Sequence, residues 1–230
     1  MAVRFFGANQ FYTAALGLGA VTQIAVTCWV KLAADRNNFS TVWNIDNNAM
    51  SSSIRGLQTA SDGTTMEIYY HNGPLTISGG TKPSLTVGTW YYFAVNIDGN
   101  NANWMWRQSG ATGFSAANFR GASGAFTANR LRIGDSAWTG EWLNGSVAAL
   151  KIWLGNLSAT EMEAEAPYFS PVRTSGLVAF YPFDTGPSTT DASGNGYTLT
   201  GGSGSAADTN PPDLSWPAAT PQFAGWGVPI

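Results

Sequence analysis

Between Thr22 and Leu32 apolar residues recur at every second position, with Ile24, Val26, Cys28 and Val30 on one side of an extended chain. That period of two predicts a strand with one face in a core. The same rule over Val87 to Asp98 puts Tyr91, Phe93, Val95 and Ile97 on one face and Trp90, Tyr92, Ala94 and Asn96 on the other. Asp98-Gly99-Asn100 then suits a hairpin turn into a returning strand, Asn103 to Arg107. Arg130 to Ile133 alternates charged and apolar residues, which predicts one buried and one wet face. Ser146 to Leu154 is mostly apolar on both sides: Ala148, Leu150, Ile152 and Leu154 on one, Val147, Ala149, Lys151 and Trp153 on the other. A strand covered on both faces is central in its sheet.

Shorter strands are expected around Val3 and Phe5, as an opening edge, and over Phe11 to Ala15, Thr41 to Ile45, Ser53 to Gln58 and Met66 to Tyr70. Asn, Asp, Ser and Gly clusters separate them as turns, and the spacing of about 10–12 residues is that of a sandwich rather than of βαβ units. Gly110 to Phe126 reads as a Gly/Ala/Ser-rich loop. One short helix is expected after Leu157: Ser158 and Glu161 fit a capping box, Leu157 and Met162 a hydrophobic staple, and Pro167 an end.

Composition sharpens this picture. Only 11% of the 230 residues are charged, against about 25% in ordinary soluble domains, while Gly numbers 27 and Trp 10. Such a surface is dressed in Asn, Ser, Thr and Gly, or partly covered by a partner. A net charge of -3 without a Lys/Arg cluster argues against nucleic acid as a partner. The start, MAVRFFGANQ, has no basic segment followed by an apolar one, and no apolar run is long enough for membrane insertion. The expectation is therefore synthesis in a cytoplasm, with exit by a route such as a virion or lysis. Cys28, the single cysteine, reads as a small buried hydrophobe.

Three runs carry a family resemblance: Leu131-Arg132-Ile133-Gly134, then Gly145 through Leu150-Lys151-Ile152-Trp153, then Asn156-Leu157-Ser158 with Glu161-Met162. Their order resembles the closing strands and terminal helix of laminin G-like, or concanavalin A-like, jelly-roll domains. Ala25 to Lys31 and Gly88 to Val95 are similar to two further strands of that family. The resemblance implies an all-β, jelly-roll β-sandwich of two antiparallel sheets with one short helix and an extended C-terminal arm. Gly176 to Asp184 with Asp191 to Gly196 is similar to the segment that commonly opens such domains, yet here follows the closing helix. Too few residues remain for a second sandwich. The expected organisation is thus a sandwich over 1–209, with 176–200 folding back as a strand, and an arm over 210–230. Pro211, Pro212, Pro217, Pro221 and Pro229 keep that arm irregular, and its Trp216, Phe223 and Trp226 ask for burial on the sandwich or on a neighbour, as in a homo-oligomer.

Chemistry is sparse. Glycosidases of this superfamily use two carboxylates from one strand face, and Glu161, Glu163 and Glu165 have that spacing. On a capped helix they diverge, so no catalytic residue is assigned. His71, the lone histidine, lacks companions for a transition-metal site. The resemblance implies that calcium can sit at the sandwich rim, with Asp184, Asp191 and Asn195 as ligands; the same residues suit an unaided Asx-rich turn. Glycan recognition needs an aromatic platform with amides and carboxylates beside it. Asp135, Trp138, Glu141 and Trp142 supply these types in one loop, and Tyr69, Tyr70, His71 and Asn72 in another; Trp138 and Trp142 as plain core caps is the competing reading. The expected function is non-catalytic recognition of host-surface carbohydrate by a protein at a phage virion surface, in a decoration or tail-associated place. A virion protein that only cements neighbouring subunits is the alternative, and a glycoside hydrolase the third.

Overall fold

The computed structural model describes residues 1–7, 10–48, 54–72, 75–79, 83–99, 101–119, 124–136 and 140–215, with the backbone alone for 71, 72, 75–79 and 119. In chain order the strands are β1 (Ala2–Phe5), β2 (Tyr12–Ala15), β3 (Ala20–Val21), β4 (Gln23–Leu32), β5 (Thr41–Asp46), β6 (Ile54–Thr59), β7 (Met66–Asn72), β8 (Leu75–Gly79) and β9 (Trp90–Asp98). There follow β10 (Asn101–Gln108), β11 (Ser115–Phe119), β12 (Phe126–Thr127), β13 (Arg130–Ile133), β14 (Gly145–Leu154), helix α1 (Ala159–Glu165), β15 (Leu177–Tyr181), β16 (Thr200–Gly201) and β17 (Ala206–Asp208). Two antiparallel sheets dominate. One runs β11-β10-β9-β4-β14-β1-β17 with β15 also on β14; the other runs β16-β2-β13-β5-β6-β7-β8.

The alternation read from sequence decides which face is inside. Ile24, Val26, Cys28 and Val30 of β4 and Tyr91, Phe93, Val95 and Ile97 of β9 pack against Trp43, Ile45, Ile68, Leu131 and Ile133 of the opposing sheet. Each such side chain contributes about 1.5–3 kcal/mol when fully buried, and these are at most 7% exposed. Phe93 and Trp104 stack at 6.0 Å across β9 and β10.

A second cluster covers the opposite face of the eight-stranded sheet. Ala25, Trp29, Tyr92 and Trp153 meet Leu157, Met162, Ala166 and Phe169 from α1 and its flanks. The expected capping box is present, with the Glu161 amide donating to Ser158 Oγ and the Ser158 amide donating to the Glu161 carboxylate. Inside this layer Lys151 Nζ donates to Glu165 Oε2 at 2.9 Å and to the Tyr168 carbonyl at 2.8 Å. Burial pulls the Lys151 ammonium down to about 8, against the pull of Glu165.

Several expectations need correction. The strand at Val3 and Phe5 is not an edge, because β17 pairs outside it. The expected loop at Gly110 to Phe126 contains β11, which closes one end of the sheet. Alternation in β14 breaks at Ala149, whose φ of 48° lies in the left-handed region. The register to β4 shifts there, so Val147 joins Leu150 and Ile152 in the inter-sheet core while Ala148 and Ala149 join Trp153 on the other side. Leu154, expected with the inner set, is 42% exposed. Arg132, expected on a wet face, is 7% exposed. Beyond α1, β15 runs antiparallel to β14. Asn210 accepts from Lys31 and Trp90, and Ser215 bridges to Tyr168. The arm beyond it, with Trp216, Phe223 and Trp226, lies outside the described residues.

Candidate functional site

The outer face of the seven-stranded sheet gathers polar side chains that pleating directs away from the core. Register aligns Thr13, Arg132, Asn44, Gly56 and Tyr69 in one row across five strands. A Cβ at Gly56 would meet the Trp43 carbonyl oxygen at 2.8 Å, so close strand approach requires glycine there. The row is therefore bare of a side chain between Asn44 and Tyr69. Neighbouring rows hold Asp46 beside Arg130, and Gln58 beside Glu67.

Most of these groups are buried: Asp46 is 0% exposed, Asn44 1% and Glu67 3%. Buried polar groups require partners, and here they pair densely. Arg130 grips Asp46 through Nε and Nη2 at 3.0 and 2.9 Å. Gln58 Nε2 donates to Glu67 Oε1 at 3.1 Å. Burial and the neighbouring Arg130 charge lower the Arg132 pKa, while Asp46 opposes them. Asn44 Nδ2 reaches the Asp135 carbonyl at 3.5 Å, and its buried Oδ1 has no donor among the described residues.

The loop after β13 forms the rim. Burial raises the Asp135 carboxyl above the usual carboxylate range, against the Ser136 amide and the charges of Arg132 and Arg36. Burial likewise raises Glu141, against the Ser136 hydroxyl, which donates to Oε2 at 2.6 Å. Trp142 is not an open platform. The Arg36 guanidinium lies 3.3 Å from its ring centroid, and Arg36 also donates to the Trp142 carbonyl at 2.6 Å. Gly7 packs against the same indole.

Of the residues singled out from sequence, Asp135, Glu141 and Trp142 thus share one rim, and Tyr69 lies on the polar face beside it. Tyr70 points into the core, 1% exposed, beneath the Arg55 guanidinium. His71 and Asn72 extend β7 opposite Thr76 and Leu75; their side chains, like the whole of Trp138, lie outside what is described. Asp191 and Asn195 build a turn. Asp191 Oδ1 accepts from the amides of Phe180 and Ser193, Oδ2 accepts from Ser193 Oγ and the Tyr197 amide, and Asn195 donates to the carbonyls of Leu177 and Val178. Asp184 offers its backbone carbonyl to the N-terminal ammonium. With Asp191 saturated by four donors, this set does not fit an oxygen-liganded cation. No group of three or more metal-ligating His, Cys, Asp or Glu occurs among the described residues.

Asn44, Gln58, Glu67 and Arg132 were not singled out as site residues from the sequence. Their signal was a polar residue at alternate strand positions, which looks the same whether the face meets solvent or a covering loop.

The Laminin_G_3 family, described as the concanavalin A-like lectin/glucanases superfamily, matches residues 6–163. The chain belongs to that superfamily. Solved structures agree on the fold of this concanavalin A-like chain. Tailspike protein 2 from an Escherichia coli O157:H7 bacteriophage superposes with a TM-score of 0.62 at 17% identity, over 79% of this chain and 26% of the tailspike. The chain thus spans about a quarter of that protein's length. A pentraxin from Limulus polyphemus gives 0.54 at 16% identity, covering 79% of this chain and 90% of its own. A Ruminococcus gnavus sialidase CBM40 bound to alpha2,3 sialyllactose gives 0.50 at 13%, covering 71% and 94%. A search of curated proteins finds no match.

Proposed function

We propose that the chain recognises carbohydrate without catalysis, through the polar face of the seven-stranded sheet and the rim residues Asp135, Glu141 and Trp142, as a phage virion component that touches host-surface glycan. One observation carries the reading: Asn44, 1% exposed, keeps an acceptor with no donor among the described residues, beside the Gly56 step and in one row with Tyr69 and Arg132. An unmet buried acceptor costs about 1–3 kcal/mol, and a sugar hydroxyl would satisfy it while a pyranose face stacks on Tyr69. The likeness to a phage tailspike supports the virion setting, and that to a sialidase binding module supports the ligand class. Against catalysis by the helix carboxylates, Glu161 is held in the capping box and Glu165 in the Lys151 pair.

One observation favours a second reading, glycoside hydrolysis: Asp135 and Glu141 both accept from Ser136, at 2.8 and 2.6 Å, on one rim where burial raises both carboxyls. An array of host-surface polysaccharides probed with the intact chain separates the possibilities. Recognition requires binding that falls at least tenfold in Asn44→Ala with a melting temperature within a few degrees of wild type, and no release of reducing ends. Reducing-end release abolished in Glu141→Gln would favour the hydrolase. A blank array would leave a purely cementing role in the virion.

A further inference from the structure

The far end of the eight-stranded sheet carries a second arrangement, on the face away from the inter-sheet core. Register places Asn118, Asn103 and Asn96 side by side across β11, β10 and β9, with Asn101 opposite Asp98 one step along. Together with Asn156 they line an open groove of about 330 Å³, the size of a small-ligand site. Asparagine is a poor strand former. Four of them at facing positions of three adjacent strands break the local rule for a sheet surface, and such breaks concentrate where function demands them.

The groove is also fixed in shape. Asn96, 7% exposed, clamps its wall from both sides: Nδ2 donates to the Leu157 carbonyl at 2.7 Å, and the Leu157 amide donates to Oδ1 at 2.9 Å. Arg173 holds the preceding residue by donating to the Asn156 carbonyl at 2.8 Å. Asn156 Oδ1 is itself buried with no donor among the described residues. Among the described residues the lining holds no cation and no aromatic ring, and Asp98 Oδ2 already accepts from Gln23 at 3.1 Å. The described lining thus offers hydrogen-bonding amides rather than a counter-charge or a stacking ring. Amides, each with paired donors and an acceptor, match vicinal hydroxyls.

We infer that this amide groove is a second ligand site, separate from the seven-stranded face, which takes a neutral polyhydroxylated ligand, a saccharide. The inference uses no residue of the first site and stands without it. Neutral hexasaccharides (cellohexaose, maltohexaose and N-acetylchitohexaose) titrated into the isotope-labelled intact chain to about 10 mM would reveal even millimolar binding. The side-chain amide signals of Asn103, Asn118 and Asn156 should shift with at least one of them. Asn103 and Asn118 are exposed, so Asn103→Thr with Asn118→Thr should keep or raise the melting temperature, because threonine suits a strand better. The same pair should weaken the groove response at least tenfold, and Asn44→Ala should leave it untouched. The inference is overturned if none of the three sugars moves these signals, or if the threonine pair leaves the response intact. It is equally overturned if calcium alone moves them, or if they broaden with protein concentration before any sugar is added, which would assign the groove to a cation or to a second copy of the chain.

Discussion

Ala149 shows how much one residue decides. Its φ of 48° inserts a bulge into the central strand, and its amide donates to the Pro182 carbonyl at 3.0 Å. A left-handed conformation costs a residue with a Cβ about 1–2 kcal/mol, while its buried methyl returns about 0.8 kcal/mol. Ala149→Gly should therefore leave stability within about 1 kcal/mol of wild type, gaining in strain what it loses in burial. Ala149→Val adds a β-branch to a conformation that resists it, in a site 2% exposed, and should cost about 2 kcal/mol or more. Urea midpoints of the two variants check this, and equal midpoints would contradict it. The bulge was not legible in sequence, since Val147-Ala148-Ala149-Leu150 reads as unbroken apolar strand. The Tyr69-Tyr70 pair was legible only by half: alternation sends the two rings to opposite faces, but which one enters the core depends on sheet packing.

Helix α1 is an element that could not stand alone. Its seven residues fall short of the roughly 12–15 an isolated helix needs in water, so caps and tertiary contacts hold it. Removing the cap hydroxyl in Ser158→Ala should cost about 1 kcal/mol. The larger contribution comes from beneath, where Lys151 and Glu165 are both 1% exposed and Glu165 Oε1 also accepts from the amides of Val172 and Arg173. Lys151→Met strands a buried carboxylate and should cost about 3–5 kcal/mol. Adding Glu165→Gln removes that charge but keeps an acceptor for the two amides, so the double variant should recover part of the loss in the same urea assay. A double variant no more stable than Lys151→Met would mean that the charge is not what matters. The capping box was legible because it is a four-residue rule. The ion pair was not: Lys151 looked like one charge on an apolar strand face, and its partner lies fourteen residues on, joined only when the helix folds over the sheet.

At the scale of the whole molecule, period-two alternation sufficed for two facing sheets but not for the layer laid over the eight-stranded sheet by α1 and residues 209–215. Both layers bury acidic groups that ionise only on unfolding, and this predicts an alkaline limit to stability. Burial raises the Cys28 thiol to about 12 and holds the phenols of Tyr70, Tyr92 and Tyr181 well above their usual value of 10. A group whose folded pKa is raised contributes fully below its unfolded pKa and progressively less above it. Cys28 thus begins to lower stability above its ordinary value of 9, and the tyrosines above 10. Lys151 runs the other way: with its folded pKa near 8 and its ordinary value 10.5, the unfolded chain binds the extra proton between them, so stability rises with pH across that interval. The thiol and the lysine offset each other between pH 9 and 10, which leaves a plateau. Above pH 10.5, where the lysine no longer offsets them, each of the four acids removes about 1.4 kcal/mol per pH unit, a combined slope of about 5.5 kcal/mol per unit that is steep against a typical stability of about 5–15 kcal/mol. Tyr92→Phe isolates one contributor. It loses the hydrogen bond from the Tyr92 hydroxyl to the Met162 carbonyl and should be about 1 kcal/mol less stable than wild type at neutral pH. Because it has no phenol to ionise on unfolding, its curve should fall more gently and meet that of the wild type about one unit above pH 10. Parallel curves from neutral pH to pH 11 would show that Tyr92 ionises as readily in the folded chain as in the unfolded one, and that the layer over it admits water.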